Sequence, residues 1–338
     1  MLAERLLSGI KRYVDGVRFR SALGLRQGVT VGFLAQGEYN LNYLLQSGEQ
    51  RYVLRVNTGS QMNLDNQIAY EYRALQLLSP TGVTPRAFYL DDTRQEIPYG
   101  ILVMEYLPGK PLDYRSDLAT AARTFARIHG MEFSAGEVEF LVKEPGPLTG
   151  IYNEAVRLLD KYFSCPRADP VVAGLLGKII LRAEERKKDE KYLLEEPWLR
   201  VINTEVNSHN FIVNPATGSC HLIDWEKPIY GEPAQDLSHF LIATTTLWKQ
   251  NYILSRGEEE LFISTYLQYL PPCPQAKTLR ERVEMFKFFN YLRAVSWCAM
   301  AWTEYIEPGR PLSNPDTFEK IKAYLEPGFL EGILRQAV

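Results

Sequence analysis

Cysteine and histidine are both scarce in this chain, with four of each among 338 residues. The cysteines stand apart at 165, 220, 273 and 298. None of their spacings suits a zinc site, and thiols scattered in this way point to a reducing compartment. A basic excess is also missing. The net charge is −3, which lacks the footprint of a nucleic-acid binder, so no nucleic-acid partner is expected. No uncharged apolar run approaches the roughly 20 residues that a membrane span needs, and none is expected to contact a membrane. The opening residues, MLAERLLSGIKRYV, carry charges throughout and read as an amphipathic helix, not a signal peptide. A cytoplasmic protein is the expectation. Internal repeats and low-complexity tracts are absent as well.

What the chain does contain is the composition of a folded protein, 46% hydrophobic and 23% charged. Residues 29–34 and 42–46 read as strands around the polar turn AQGEYN, which holds Gly37 and Asn40. A second turn, SGEQ, leads to a third strand, RYVLRVN. In NLDNQIAYEYRALQLLSPTG, Ile68, Tyr72, Leu75 and Leu78 recur at helical spacing before a Ser-Pro and Gly stop. YGILVMEYLPGKPL is a buried strand that ends in Pro-Gly, a hinge signal. Beyond it helical patterns dominate: 118–131, 150–163, 171–193, 234–248, 258–270, 278–306 and 314–338. The charge run from Glu184 to Lys191 reads as a solvated face. A small β-rich part, 1–107, followed by a large helical part, 108–338, indicates an α+β protein of two unequal lobes.

The helical pattern is interrupted by LRVINTEVNSHNFIVNPATGSCHLIDWEKP, residues 199–228. Here Glu205 precedes Asn210 by five residues. Strand residues Ile212 and Val213 follow, then a turn at 214–219, then Leu222 and Ile223, and then Asp224. Phosphoryl transfer asks little covalent chemistry of a protein. It needs one group to orient the attacking hydroxyl and take its proton, and oxygen ligands to hold magnesium against the phosphates. An acid, an amide and a second acid in this order can supply both. Each residue alone would serve equally as a turn cap; the ordered set is the signal. Upstream, Arg55 lies on the third strand and Glu71 lies mid-helix sixteen residues later, where a cation on a strand pairs with a helix glutamate. Glu105 to Leu107, behind Met104, would offer hinge backbone groups to adenine.

With these residues in view, the chain resembles the aminoglycoside phosphotransferase and choline kinase group, the small-molecule branch of the protein-kinase-like fold. NTEVNSHNFIV, LIDWEKP and GEPAQDLSHF stand where that group shows His-Gly-Asp-x-x-x-x-Asn, Ile-Asp-Trp-Glu and Gly-Asp-Pro-x-x-Asp-Leu. YVLRV, YEYRALQLL, LVMEYLPGKPL and YLRAVSWCAMAW extend the likeness over nearly the whole chain. The resemblance implies a kinase-like fold in two lobes, the first binding nucleotide and the second carrying the catalytic loop. It implies ATP and Mg2+ as cofactors and a hydroxyl of a small molecule as acceptor. It makes Asn210 and Asp224 magnesium ligands, Glu71 the helix partner of Arg55, and Asp236 a brace of the catalytic loop. Trp225, Glu226 and His209 become candidates for the acceptor pocket.

Three residues depart from the group's pattern. Asn203 replaces a histidine, Thr204 a glycine, and Glu205 the catalytic aspartate. Glutamate has a similar intrinsic pKa but one more methylene, which shifts the carboxylate unless the loop adjusts. Two readings stay open: an active phosphotransferase with Glu205 as its base, or an inactive pseudokinase that binds nucleotide or metabolite and acts through a partner. Trp297, Trp302 and Tyr305 share one late helix and read as core packing before an aromatic cage.

Overall fold

The polar turn at 35–40 is shorter than its composition suggests, because both flanking strands run into it. In the computed structural model, which describes residues 2–37, 39–60, 62–307 and 315–336, two helices come first, α1 (Leu2–Asp15) and α2 (Val17–Leu23). Then follow β1 (Thr30–Gln36), β2 (Asn40–Ser47), β3 (Gln50–Asn57), α3 (Gln67–Leu78), β4 (Ala87–Asp91), β5 (Gly100–Glu105) and β6 (Lys110–Pro111). Asn40 therefore opens β2 and is not a turn residue, whereas Gly37 lies in the turn, its N–H bonded to the Asn40 carbonyl at 2.8 Å. The helices α4 (Tyr114–His129), α5 (Pro147–Phe163), α6 (Pro170–Arg186) and α7 (Glu190–Glu195) lead to β7 (Arg200–Ile202). After β8 (Phe211–Asn214), β9 (Ser219–Leu222) and β10 (Ile229–Gly231) come α8 (Pro233–Leu241), α9 (Ala243–Lys249), α10 (Arg256–Tyr269), α11 (Leu279–Tyr305), α12 (Pro315–Tyr324) and α13 (Pro327–Gln336).

Three stretches expected as single helices are each divided, the first of them, 171–193, into α6 and α7. Ile242 takes an extended conformation (φ −74°, ψ 151°) that ends α8 and begins α9. Pro327 starts α13, where its missing N–H is no loss but would have broken a continuous helix. Strand β4 carries no clean alternation, its burial running buried, exposed, then half-buried, and its existence rests on pairing with β5.

The chain divides into two compact units. The first takes the chain through Leu112, with Met131–Leu141 and Asn210–Pro228; the second takes Asp113–Gly130, Val142–His209 and the chain from Ile229 on. In the first, an antiparallel sheet runs in the order β1-β2-β3-β5-β4. Its strands alternate. Leu41, Tyr43, Leu45, Leu54 and Val56 turn to a core shared with Tyr13 and Val14 of α1, and burying each such side chain stabilises the fold by about 1.5–3 kcal/mol. Asn40 and Asn42 on β2, with their cross-strand partners Asn57 and Arg55 on β3, lie on the opposite face. The second unit is mainly helical, and Phe125, Phe240 and Phe262 pack ring to ring in its core. Among the described residues no helix is long and apolar enough to cross a membrane.

Candidate active site

Strand pairing decides what Arg55 meets in the first unit. Asn42 is its direct neighbour across β2 and β3, and the Asn42 side-chain carbonyl accepts from Arg55 Nε at 3.1 Å. Helix α3 brings up Glu71, whose Oε1 lies 2.7 Å from Arg55 Nη1. The same nitrogen is 2.8 Å from Oδ1 of Asp224. Arg55 and Glu71 are buried, while the Asp224 side chain keeps 29% exposure. Burial works to lower the Arg55 guanidinium, but the charges of Glu71, Asp224 and Glu226 together hold it well above its ordinary value. Burial raises the Glu71 carboxyl against the pull of Arg55.

Hairpin β8–β9 delivers Asp224. Phe211 pairs with Leu222, and the Ile223 N–H donates to the Asn210 carbonyl at 2.7 Å. Asn210 therefore stands across from the residue before Asp224. The Asp224 backbone is left-handed (φ 64°), a conformation that aspartate tolerates better than most residues. Glu226 is buried, its carboxylate held by the side-chain amide of Asn40 and its backbone carbonyl by that of Gln67. Asn40 in turn accepts from Asn57 at 2.9 Å. One cation thus faces three carboxylates, a formal charge of −2 when all are ionised, among hard oxygen donors. That donor set fits a divalent cation such as magnesium.

Other expected residues divide. Trp225, expected as a pocket wall, is fully buried, and its indole N–H donates to the Leu222 carbonyl at 2.8 Å, so this ring is core packing. Met104 is also buried. The Glu105 backbone N–H donates to the Arg86 carbonyl (2.8 Å) and its carboxylate binds the Arg86 side chain. That commits the donor of Glu105 to the sheet, while Leu107 follows the strand and is half-buried. A Cβ at Gly37 would meet only the Asn40 carbonyl oxygen, at 3.9 Å, so no contact inside the protein demands glycine there.

The second unit carries the loop from Asn203 to His209. Asp236, in the first turn of α8 and fully buried, accepts the N–H groups of Asn203 (2.7 Å) and Thr204 (2.8 Å). Negative charge is favoured at a helix N-terminus, and two backbone donors on one carboxylate fix the loop. His129, also buried, lies with Nε2 3.6 Å from Asp236 and Nδ1 3.2 Å from the Tyr266 hydroxyl. The Thr204 carbonyl accepts from His239 Nδ1 (3.1 Å) and Arg293 Nη1 (3.2 Å). Glu205 is half-buried, and its N–H donates to the Asn203 side chain at 3.0 Å. His209 is the loop's outward residue; partial burial and the Lys249 charge push its imidazole below the ordinary value. The rings of Trp297, Trp302 and Tyr305 are half-buried and meet separate partners, Trp248, Tyr162 and Phe318.

Sequence reasoning missed Asn42, Gln67, Asn57 and Arg293. For Asn42 and Asn57 the signal was available: polar residues alternate with Leu41, Tyr43, Leu54 and Val56 on paired strands. Arg293 lies within a long helix and no local pattern marks it.

Residues 30–271 match the sequence profile of a family described as Phosphotransferase enzyme family. No curated protein matches the chain. Among solved structures, the ethanolamine kinase of Plasmodium vivax is similar with a TM-score of 0.62 at 15% identity, covering 97% of this chain and 87% of its own. A spectinomycin phosphotransferase, solved with ADP and spectinomycin, gives 0.64 at 13%, covering 93% and 94%. The choline kinase of Cryptosporidium parvum gives 0.59 at 14%, covering 90% and 91%. At these identities the likeness shows a shared fold, the protein-kinase-like α+β fold that the sequence led us to expect.

Proposed function

This chain belongs to the phosphotransferase enzyme family, and from that premise we propose that it is a cytoplasmic enzyme that transfers a phosphoryl group from ATP, with magnesium, to a hydroxyl of a small-molecule metabolite. The observation that carries the reading is the buried ion pair of Arg55 on β3 and Glu71 on α3, 2.7 Å apart. Glu71 is nearly inaccessible to water, and its role is to fix the Arg55 rotamer. Arg55 Nε and Nη1 are engaged by Asn42, Glu71 and Asp224, so its contact to phosphate oxygens would come from Nη2. Asn210 and Asp224 would hold the metal, which when bound neutralises charge on the phosphates. Of Arg55, Glu71 and Asp224, the last keeps the most exposure.

Glu205 orients the acceptor. As the acceptor oxygen bonds to phosphorus, its O–H bond breaks and the proton passes to the Glu205 carboxylate, while ADP leaves with the electron pair of the broken P–O bond. Asp236 braces the loop that carries Glu205. The turn at Gly37 would cover the phosphates, and the backbone beyond Glu105, at Tyr106 and Leu107, would meet adenine. The first unit then contributes nucleotide contacts through residues 1–107 together with Asn210 and Asp224. An ADP complex of a neighbour with this fold supports a nucleotide donor.

A pseudokinase is the second reading, favoured by one observation: Asp224 is engaged by Arg55 at 2.8 Å, a contact that competes with a metal. Measuring ADP release from ATP and magnesium across a panel of hydroxyl compounds separates the two. The enzyme reading expects one acceptor class to stimulate release, and Asp224→Ala or Glu205→Gln to lower it by about a hundredfold or more. Nucleotide binding with no stimulating acceptor would favour the pseudokinase.

A further inference from the structure

The three loop residues that depart from the group's pattern are linked to one another. Thr204 has φ 69°. This left-handed conformation costs a β-branched residue about 1–2 kcal/mol, whereas glycine takes it freely. Such strain persists only where the surroundings over-determine it, and here they do. Asp236 holds the Thr204 N–H (2.8 Å), His239 and Arg293 hold its carbonyl (3.1 and 3.2 Å), and the Asn203 side chain takes the next N–H, that of Glu205 (3.0 Å). The carbonyl only accepts, so the His239 nitrogen facing it, Nδ1, carries the proton. Arg293 reaches from α11 and is itself held by Glu154 of α5, 3.6 Å from its Nε. Both peptide units flanking Thr204 are thereby fixed, and with them the direction in which the Glu205 side chain leaves the backbone.

We propose that Arg293 and Asn203 are positioning residues for Glu205, and that the turn they lock makes glutamate, not aspartate, the acid whose length fits this site. The inference rests on the reading of Glu205 as the group that orients the acceptor. It accounts for three departures with one cause. An Asx-type bond from residue 203 needs a short side-chain carbonyl, which asparagine has. The clamp on the carbonyl of residue 204 lets threonine stand where glycine is usual. With both flanking peptides held, the side chain of residue 205 leaves in one fixed direction, and the longer acid is assigned to that direction.

The test has a kinetic arm and a structural arm. In the wild-type background Glu205→Asp is expected to lower kcat by about a hundredfold, the cost of a misplacement near 1 Å. Pairing it with Asn203→His and Thr204→Gly is expected to recover at least tenfold. Arg293→Ala is expected to lower kcat about tenfold to a hundredfold, with KM for ATP, magnesium-ADP affinity and Tm nearly unchanged; Arg293→Lys, which can still reach the carbonyl, restores most of it. A loss that falls on KM and Tm together would reduce Arg293 to a structural role and overturn the proposal. Crystal structures of Arg293→Ala and Asn203→Ala supply a readout free of turnover: Thr204 should leave the left-handed region and the Glu205 carboxylate should move by about 1 Å. If Thr204 and Glu205 stay in place in both variants, the proposal is overturned. A wild-type protein with no turnover on any acceptor defeats the proposed function instead, and the structural arm still decides the positioning claim.

Discussion

Arg55, Glu71 and Asp224 bear the heaviest electrostatic demands in the first unit. Removing the cation from a buried carboxylate leaves a charge with no partner, which costs about 3–5 kcal/mol. Arg55→Ala is therefore expected to lower stability by that amount in urea denaturation. The double variant Arg55→Ala/Glu71→Ala should lose less than the sum of the single changes, whereas additivity would deny that the pair is coupled. His209 gives a prediction in pH. Its folded pKa is depressed by burial and by Lys249, so the neutral form is favoured in the folded protein. That contribution is present above the unfolded pKa near 6.5 and is lost as pH falls through the lower folded value. An NMR titration should place the His209 midpoint below 6.5, and Lys249→Gln should move it upward. Single residues were legible where chemistry and order coincide. The Arg55–Glu71 pair was legible from strand and helix order and is an ion pair at 2.7 Å, and Asn210 and Asp224 flank hairpin β8–β9 as their spacing implied. Asn40 was misplaced into the turn because asparagine usually marks turns; its bonds to Glu226 and Asn57 outweigh that preference.

Elements were legible where capping and periodicity agree. Helix α10 opens on a capping box, Ser255 with Glu258, and α6 opens on Asp169 followed by Pro170; both signals can be read from sequence. Breaks set by tertiary contact were less legible, as at Ile242 between α8 and α9. The charge run from Glu184 to Lys191 is only partly a solvated face. Glu190, within it, accepts from the Leu148 and Thr149 N–H groups (2.8 and 2.7 Å) and from the Thr149 hydroxyl (2.8 Å), capping α5 from another helix. A cap supplied from 41 residues away leaves no local trace. Glu190→Ala should cost about 1–2 kcal/mol, while Glu185→Ala, on the exposed face, should stay within about 0.5 kcal/mol. Thermal denaturation of both variants measures the difference.

At the scale of the whole chain, the order of motifs made the family legible while their assembly stayed hidden. Asp224 lies 169 residues from Arg55 in sequence and 2.8 Å from it in space. No local pattern predicts that closure. The stretch Asn210–Pro228 belongs to the first unit although the helices of the second precede and follow it, so the candidate metal ligands join the sheet residues by long-range closure. The central claim is that this assembly moves a phosphoryl group. The most direct measurement is 31P NMR of the protein with ATP, magnesium and a panel of small hydroxyl compounds. The account predicts a phosphomonoester resonance that grows in step with ADP for one acceptor class and is absent for Asp224→Ala. Bound nucleotide with no new phosphoester on any hydroxyl compound would contradict it.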